Sequence, residues 1–229
     1  MPIFWEPFSR ISYSLATGKP AFEEQHPDGF FSYLTEHPET ARVFDNAMTG
    51  KAHGQAAGTV AHYDFSRFGT IADIGGGRGH LLQAVLQEAP KARGILFDLP
   101  HVVEAAKGVA SDRLKLQGGD FFNDSMPVAD AYIIMQVIHD WADAEATKIL
   151  SGIRRAAPAH AKLLLIEMLI PETSVRDVAK ETDLIMLVFL HSRERTRSEY
   201  QQLLAGSGFR LDRVIDIGQS TAILEAAPI

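Results

Sequence analysis

The strongest indication of the fold is one stretch of the sequence, Thr70-Ile71-Ala72-Asp73-Ile74-Gly75-Gly76-Gly77-Arg78-Gly79-His80. An apolar run of strand length ends at residue 74, and the glycines after it allow a tight turn into a helix. Residues 81–86 then place apolar side chains at helical spacing, and Pro90 ends the pattern. A strand, a glycine turn and a helix in this order indicate one unit of a parallel sheet, with a turn that a ligand can approach closely.

Four more apolar runs of strand length follow this unit, at residues 94–97, 114–116, 131–135 and 162–166. Near-continuous apolar strands separated by helical patterns are typical of a parallel sheet that is covered on both faces. Two later runs, at residues 210–215 and 220–224, suit a terminal hairpin. We therefore predict an α/β fold with a doubly wound, mostly parallel sheet, five strand–helix units and an antiparallel C-terminal hairpin.

The first part of the chain differs from this pattern. It contains no clear strand, and eight aromatic residues precede Leu34. No linker rich in glycine, serine or proline follows it. We predict a helical, aromatic-rich N-terminal segment over residues 1–65 and a ligand-binding catalytic domain over residues 66–229.

The composition of the 229 residues excludes several classes of protein. Apolar residues at 46% and charged residues at 22% are ordinary for a globular chain and rule out a disordered or collagen-like one. The absence of cysteine removes disulfide scaffolds, cysteine nucleophiles and thiolate metal sites. A net charge of −7 argues against a nucleic-acid partner, and no apolar run is long enough to span a membrane, so we expect a cytoplasmic protein.

The glycine turn has two possible interpretations. Its glycines suit backbone that approaches a ligand, but they also suit a sterically demanding turn without one. His80 stands where a dinucleotide-binding fingerprint has its third glycine, which disfavours an NAD-dependent oxidoreductase. A P-loop is excluded because no Gly-Lys-Ser/Thr follows.

Acidic residues follow the next two strands. Asp98 lies about 20 residues after the glycine turn, where an acid can accept hydrogen bonds from ribose hydroxyls. Gly119, Asp120 and Phe121 follow the third strand, where a carboxylate and an aromatic ring could hold an adenine. Taken alone, Asp98 would be a helix cap and Phe121 a buried loop residue, so both interpretations depend on the glycine turn.

His139 follows the fourth strand and would stand at the mouth of the sheet, beside the ligand. A histidine there can act as a general base near neutral pH, whereas most lone histidines are structural. The pair His139-Asp140 also resembles ligands of metal-dependent phosphohydrolases, but the further ligands which that chemistry needs are not found at suitable spacing. We therefore predict no metal centre.

Six motifs occur together in one order: DIGGGRGHLL at 73–82, FDLP at 97–100, GDFF at 119–122, IHDWAD at 138–143, IEMLIPE at 166–172 and RERT at 193–196. This series resembles the S-adenosylmethionine-dependent O-methyltransferases of small phenolic molecules, which include plant caffeate and flavonoid enzymes and bacterial polyketide and phenazine relatives. The resemblance implies a Rossmann-like class I methyltransferase fold with a seven-stranded sheet. It also implies methyl transfer from S-adenosylmethionine to an aromatic (phenolic) hydroxyl, with S-adenosylhomocysteine as the product.

Matching positions carry the roles that the resemblance implies. The residues that would bind the cofactor are Gly75, Gly77, Asp98, Gly119, Asp120, Phe121, Met135 and Gln136. The residues that would act in catalysis are His139, as the base, and Glu167 and Glu194, which would orient it. The residues that would contact the acceptor are Asn46, Met48 and Phe189.

Several alternatives stay open. Glu194 stands between two arginines, so it could form an ion pair with one of them as readily as act in catalysis. His191 is a second candidate for the base, beside His139. Relatives carry a helical dimerisation domain in front of the matched region, so we expect a homodimer that is weakened here. A cofactor-binding module without turnover and an offshoot that methylates nitrogen or carbon remain alternatives, and the motifs do not identify the acceptor.

Overall fold

The computed structural model describes residues 2–229, apart from the side chains of Pro2, Phe4 and Asp45. Its strands are β1 (Thr70–Ile74), β2 (Arg93–Asp98), β3 (Leu114–Gly118), β4 (Ala131–Met135), β5 (Lys162–Ile170), β6 (Arg195–Thr196), β7 (Phe209–Gly218) and β8 (Thr221–Pro228). Seven of them form a sheet in the order β3-β2-β1-β4-β5-β8-β7, and the short β6 pairs with the end of β5. β1 to β5 are parallel, whereas β8 is antiparallel to both β5 and β7. The predicted seven-stranded sheet with its C-terminal hairpin is confirmed.

Some helices pack on the two faces of this sheet, and others form a separate cluster in the N-terminal part of the chain. The helices are α1 (Pro2–Ser9), α2 (Ile11–Thr17), α3 (Gly29–Glu36), α4 (Pro38–His62), α5 (His80–Glu88), α6 (Pro100–Ala105), α7 (Asp143–Ala156), α8 (Val178–Phe189) and α9 (Arg197–Gly206). The apolar positions predicted at 81–86 are the buried face of α5. α9 begins with a capping box between Thr196 and Glu199.

One of the five predicted strand–helix units lacks its helix. Residues 119–130, between β3 and β4, form a loop. The Asp120 carboxylate accepts hydrogen bonds from the Phe122 N–H and the Asn123 amide, at 2.8 and 2.7 Å. Such local side-chain bonds compete with helical backbone bonds, which explains the loop.

The aromatic-rich N-terminal residues pack on the rest of the chain through their own apolar cluster. Phe22, Phe30 and Leu34 are buried there together with Val188 and Phe189 of α8. The long helix α4 contacts α5 and β7. Together, α3, α4 and α8 form a wall over the C-terminal ends of the strands. Among the described residues, no helix is both long enough and apolar enough to cross a membrane.

Candidate active site

The turn between β1 and α5 uses backbone that glycine adopts most easily. Gly75, Gly77 and Gly79 have φ angles of 69°, 56° and 75°, in the left-handed region. A Cβ on Gly76 would lie 2.5 Å from the Cγ of Asp73, so a side chain at this position would force the turn to move. The turn therefore brings bare backbone to the C-terminal edge of the sheet.

A cavity of about 900 Å³ opens beside the glycine turn, and we call it the cofactor cavity. Gly75–Gly77 and Asp73 form one wall, and residues of α3 and α4, including Asn46 and Met48, form another. The Oδ2 atom of Asp73 is buried without a hydrogen-bond partner among the described residues. Burial and the nearby carboxylate of Asp98 raise the pKa of Asp73 to about 7. An unpartnered buried oxygen in a cavity wall suits a ligand that donates a hydrogen bond.

Asp73 was not among the predicted site residues, although it lies inside the first motif. Its position in the sequence could have indicated a role, because burying an acidic residue near the end of an otherwise apolar strand costs free energy unless the carboxylate has a partner or a ligand. Asp73 is 1% exposed, so this cost applies.

Hydrogen bonds join the ends of β1, β2 and β3. The Gly77 N–H donates to Asp98 Oδ2 at 2.8 Å, and the Leu99 N–H donates to Asp98 Oδ1 at 2.7 Å. The Gly119 N–H donates to the Asp98 carbonyl at 2.9 Å. Asp98 therefore holds two neighbouring turns in place, while Asp98 and Gly119 themselves lie outside the wall of the cofactor cavity.

The residues predicted to hold the adenine lie in the loop after β3. The Asp120 carboxylate accepts hydrogen bonds from that loop, as described above. The Phe121 ring lies edge-on to Trp141, with 5.8 Å between the ring centroids. Neither residue lines the cofactor cavity, and their role in binding stays a prediction.

A second cavity of about 590 Å³ adjoins the first, and we call it the acceptor cavity. Met48, Ala52 and Met135 line both cavities. Phe189 of α8 lines the acceptor cavity and packs edge-on to Phe30, with 5.5 Å between the ring centroids. Because the two cavities share three wall residues, molecules bound in them would be neighbours.

His139 lines the acceptor cavity from the 3-10 turn after β4. Its Nδ1 atom is 3.0 Å from Glu194 Oε1 and 4.0 Å from Glu167 Oε2. Its Nε2 atom is 3.4 Å from Asp140 Oδ1. When Nδ1–H donates to Glu194, the neutral ring keeps its lone pair on Nε2. The structure thus brings together the three residues predicted for catalysis, which come from three separate segments.

Glu167 is fully buried, and its carboxylate is held by hydrogen bonds. Its Oε1 accepts from the Ile138 N–H at 2.9 Å and the Val137 N–H at 3.2 Å, and its Oε2 accepts from the Gln136 amide at 3.2 Å. Gln136, which was predicted to bind the cofactor, lines the acceptor cavity with its amide on Glu167, and its role in cofactor binding stays a prediction. Its backbone has a φ of 54°, a left-handed conformation that nothing in the local sequence indicates.

Arg195 is buried, although charged residues stand near it on both sides in the sequence. The side chain is 1% exposed. Its guanidinium donates to the carbonyls of Ile138 and Trp141, at 3.1 and 2.7 Å, and to the Asp143 carboxylate at 2.8 Å. Arg195 therefore holds the turn that carries His139. Both arginines beside Glu194 pair with other carboxylates, which leaves Glu194 for His139.

The carboxylates around His139 control its protonation. Burial alone would lower the pKa of His139, but Glu167, Glu194 and Asp140 together raise it to about 9. Burial also raises the pKa of Glu167 to about 7. The groups therefore titrate as a unit, and the carboxylates favour the protonated form of His139, which must lose this proton before the ring can accept another.

The second candidate base, His191, forms its own ion pair with a residue outside the His139 cluster. His191 is exposed and pairs with Glu23 at 2.9 Å, in a smaller pocket beside the acceptor cavity. The ligand-type atoms of His139, Glu167 and Glu194 lie within 4.8 Å of one another. Both oxygens of Glu167 already accept N–H donors, which orients this carboxylate without a cation. Metal independence stays a prediction.

Known proteins resemble this chain in sequence. The family model of the O-methyltransferase domain matches residues 8–210. The phenazine O-methyltransferase of Lysobacter antibioticus is 44% identical over 224 residues, which cover 96% of this chain and 66% of that protein. An 8-amino-8-demethylriboflavin N,N-dimethyltransferase of Streptomyces davaonensis is 38% identical over 222 residues, which cover 93% of this chain and 63% of that protein. The chain thus spans about two-thirds of the length of these curated relatives.

Solved structures resemble it in fold. A methyltransferase of calicheamicin biosynthesis, in its S-adenosylhomocysteine-bound form, has a TM-score of 0.91 and 31% identity, and the match covers 99% of this chain and 69% of that one. The predicted class I methyltransferase fold is therefore confirmed. Since the family model covers most of the sequence, the chain belongs to the O-methyltransferase domain family.

Proposed function

We propose that the protein is an S-adenosylmethionine-dependent O-methyltransferase, which methylates a hydroxyl of a small aromatic molecule with His139 as general base. The wall shared by the two cavities carries this proposal, because Met48, Ala52 and Met135 line both. A methyl donor in one cavity and an acceptor in the other would be held side by side. Such positioning is a major part of catalysis in a two-substrate reaction.

The residues around the cofactor cavity suit S-adenosylmethionine. A Cβ at Gly76 would collide with Asp73, so the backbone there is open to close approach by a ligand. The unpartnered oxygen of Asp73 can accept a hydrogen bond from an ammonium group, and Asp98 lies at the next strand end for a ribose. When bound, S-adenosylmethionine supplies an activated methyl group on a sulfonium sulfur. The S-adenosylhomocysteine-bound relative supports this choice of cofactor.

In this proposal His139 removes the proton of the acceptor hydroxyl. A phenol has a pKa near 10, so a base that takes its proton during methyl transfer assists the reaction. With Nδ1 engaged by Glu194, the atom left for the acceptor is Nε2. Glu194 and Glu167 would then stabilise the imidazolium that forms. The mostly apolar side chains of α8, among them Phe189, would hold the aromatic ring and exclude water.

N-methylation is the second candidate, and the dimethyltransferase relative from Streptomyces davaonensis favours it. A neutral aromatic amine attacks with its own lone pair and needs no base beforehand. We prefer O-methylation because His139 is held by two buried carboxylates, an arrangement that suits a proton acceptor. A cofactor-binding module without turnover is the remaining alternative.

The test uses isotopically labelled S-adenosylmethionine and two acceptors that differ only in the nucleophile, 2-naphthol and 2-naphthylamine. Mass spectrometry of the products should find a labelled methyl ether from the naphthol. A labelled product from the amine alone would favour N-methylation. Cofactor binding without any labelled product, over a broad acceptor panel, would favour the binding module.

A further inference from the structure

We propose that Lys51 selects acceptors with an anionic substituent, so that the acceptor is a hydroxylated aromatic carboxylic acid. The inference rests on the proposed function, because it concerns the acceptor cavity of the same site. Lys51 belongs to none of the motifs that carry the family resemblance.

Lys51 interrupts the face of α4 that lines the acceptor cavity. The residues of this face are Phe44, Met48, Lys51, Ala52 and Gln55. Their spacing of three or four residues places them on one side of the helix. Apart from Gln55, the other members are apolar, so a lysine between them puts an ammonium group at the wall of the cavity.

The ammonium group of Lys51 has no partner at hydrogen-bond or ion-pair distance among the described residues, although its charge acts on Asp140. Lys51 is partly buried, and among the described residues its side chain has no hydrogen bond and no ion pair within 4.0 Å. Removing a charge from water without a partner is unfavourable. A ligand that brings a negative charge into the cavity would provide the missing partner.

The other charged groups of the cavity leave this positive charge available. Asp140 is the acidic residue of the cavity wall, and its Oδ1 is 3.4 Å from His139 Nε2. Burial raises the pKa of Asp140, while the charges of His139 and Lys51 oppose this effect. Of the two positive groups whose charge acts on Asp140, His139 is the nearer, because Lys51 forms no ion pair with Asp140 within 4.0 Å. Glu167 and Glu194 lie behind the ring, on its Nδ1 side.

The residues that line the cavity indicate which kind of acceptor would fit. The apolar side chains of α4 and α8 suit a flat aromatic ring, and a volume of about 590 Å³ accommodates a fused ring system. The hydroxyl belongs at His139, on the sheet side of the cavity. Lys51 lines the cavity from α4, where its ammonium group can contact a carboxylate on the same ring, and its charge also acts on Asp140 beside His139.

The test measures acceptor binding in the presence of S-adenosylhomocysteine, with 3-hydroxy-2-naphthoate and its neutral amide, 3-hydroxy-2-naphthamide. We expect the parent protein to bind the acid about tenfold or more tightly than the amide, as a charge-assisted contact implies. Lys51→Met should abolish this preference and leave the affinity for the amide unchanged. Lys51→Arg should retain the preference. Lys148→Met, at an exposed lysine of α7, is the matched control and should behave as the parent does.

Two results would overturn the inference. One is that the parent protein binds the acid no more tightly than the amide, or does not bind the acid at all. The other is an equal loss of affinity for both compounds in Lys51→Met, which would assign Lys51 to general packing. Methyl transfer is measured in a separate experiment. If the protein transfers the methyl group but does not prefer the acid, only this inference is contradicted. If it prefers the acid but transfers no methyl group, only the proposed function is contradicted.

Discussion

The two cavities share a wall but are built from different parts of the protein. Backbone at the strand ends shapes the cofactor cavity, where a side chain on Gly76 would collide with Asp73. Side chains of three helices, α3, α4 and α8, shape most of the acceptor cavity. A turn made of glycine backbone permits few substitutions, whereas residues on a helix face can change without altering the fold. We therefore expect the cofactor to be a fixed property of this fold and the acceptor to depend on individual side chains.

Replacing His139 with alanine should have the largest effect, and this effect should fall on catalysis at the acceptor cavity rather than on cofactor binding. We expect kcat to fall about 10²–10⁴-fold, the range typical of losing a general base. The affinity for S-adenosylhomocysteine should change little, because His139 does not line the cofactor cavity. Single-turnover methyl transfer and calorimetric titration measure the two effects. His191→Ala, at an exposed histidine, is the control, and a His139→Ala variant as fast as the parent would refute the assigned base.

Gly76→Ala tests the backbone-built cavity. The new Cβ would lie 2.5 Å from atoms of Asp73 and Leu96, so the turn must shift. We expect the affinity for S-adenosylhomocysteine to fall about 10- to 100-fold, as overpacking at this position implies. Gly54→Ala is the matched control, because a Cβ there meets nothing within 4 Å. Parent-like affinity in Gly76→Ala would mean that the turn does not shape the binding site.

The pH dependence of the reaction rate should depend on the carboxylates behind His139, because they set the pKa of this residue. Because the pKa of His139 is raised to about 9 and the base must be unprotonated, kcat should rise with pH from neutral towards that value. Glu194→Gln removes one negative charge, which lowers the pKa of His139 and moves the midpoint to lower pH. Rate profiles of both proteins with one acceptor make the comparison. A midpoint that stays in place, or moves to higher pH, would contradict the coupling between these residues.

Metal removal should have the smallest effect. N–H donors occupy both oxygens of Glu167, and Glu194 Oε1 faces His139 Nδ1, so groups of the protein itself orient these two carboxylates, although Glu194 Oε2 has no hydrogen-bond partner among the described residues. We expect the rate of methyl transfer to be unchanged after dialysis against EDTA. A loss that added Mg²⁺ or Zn²⁺ restores would show that the three residues bind a metal instead.

The two regions also differ in how far the sequence predicts them. The glycine turn and the strands have local patterns, so β1 to β5 and the hairpin were located from the sequence. Glu167 and Glu194 could be assigned only through the family resemblance, since no local pattern places Glu194 beside a histidine 55 residues away. Arg195 stands among charged residues in the sequence, and only folding buries it under the His139 turn. Lys51 gains its significance in the same way, from the cavity that its helix face lines.

The most direct test of the central claim, that this chain itself forms the cofactor site, is calorimetric titration with S-adenosylhomocysteine. Asp98→Ala would be compared with the parent protein, and NADH would serve as the control ligand. Asp98 accepts the Gly77 and Leu99 N–H groups, so its loss should loosen the glycine turn as well as remove the predicted ribose contact. We expect the parent to bind S-adenosylhomocysteine but not NADH, and Asp98→Ala to bind it about tenfold or more weakly. No binding by a well-folded parent chain, or equal binding by Asp98→Ala, would contradict the claim.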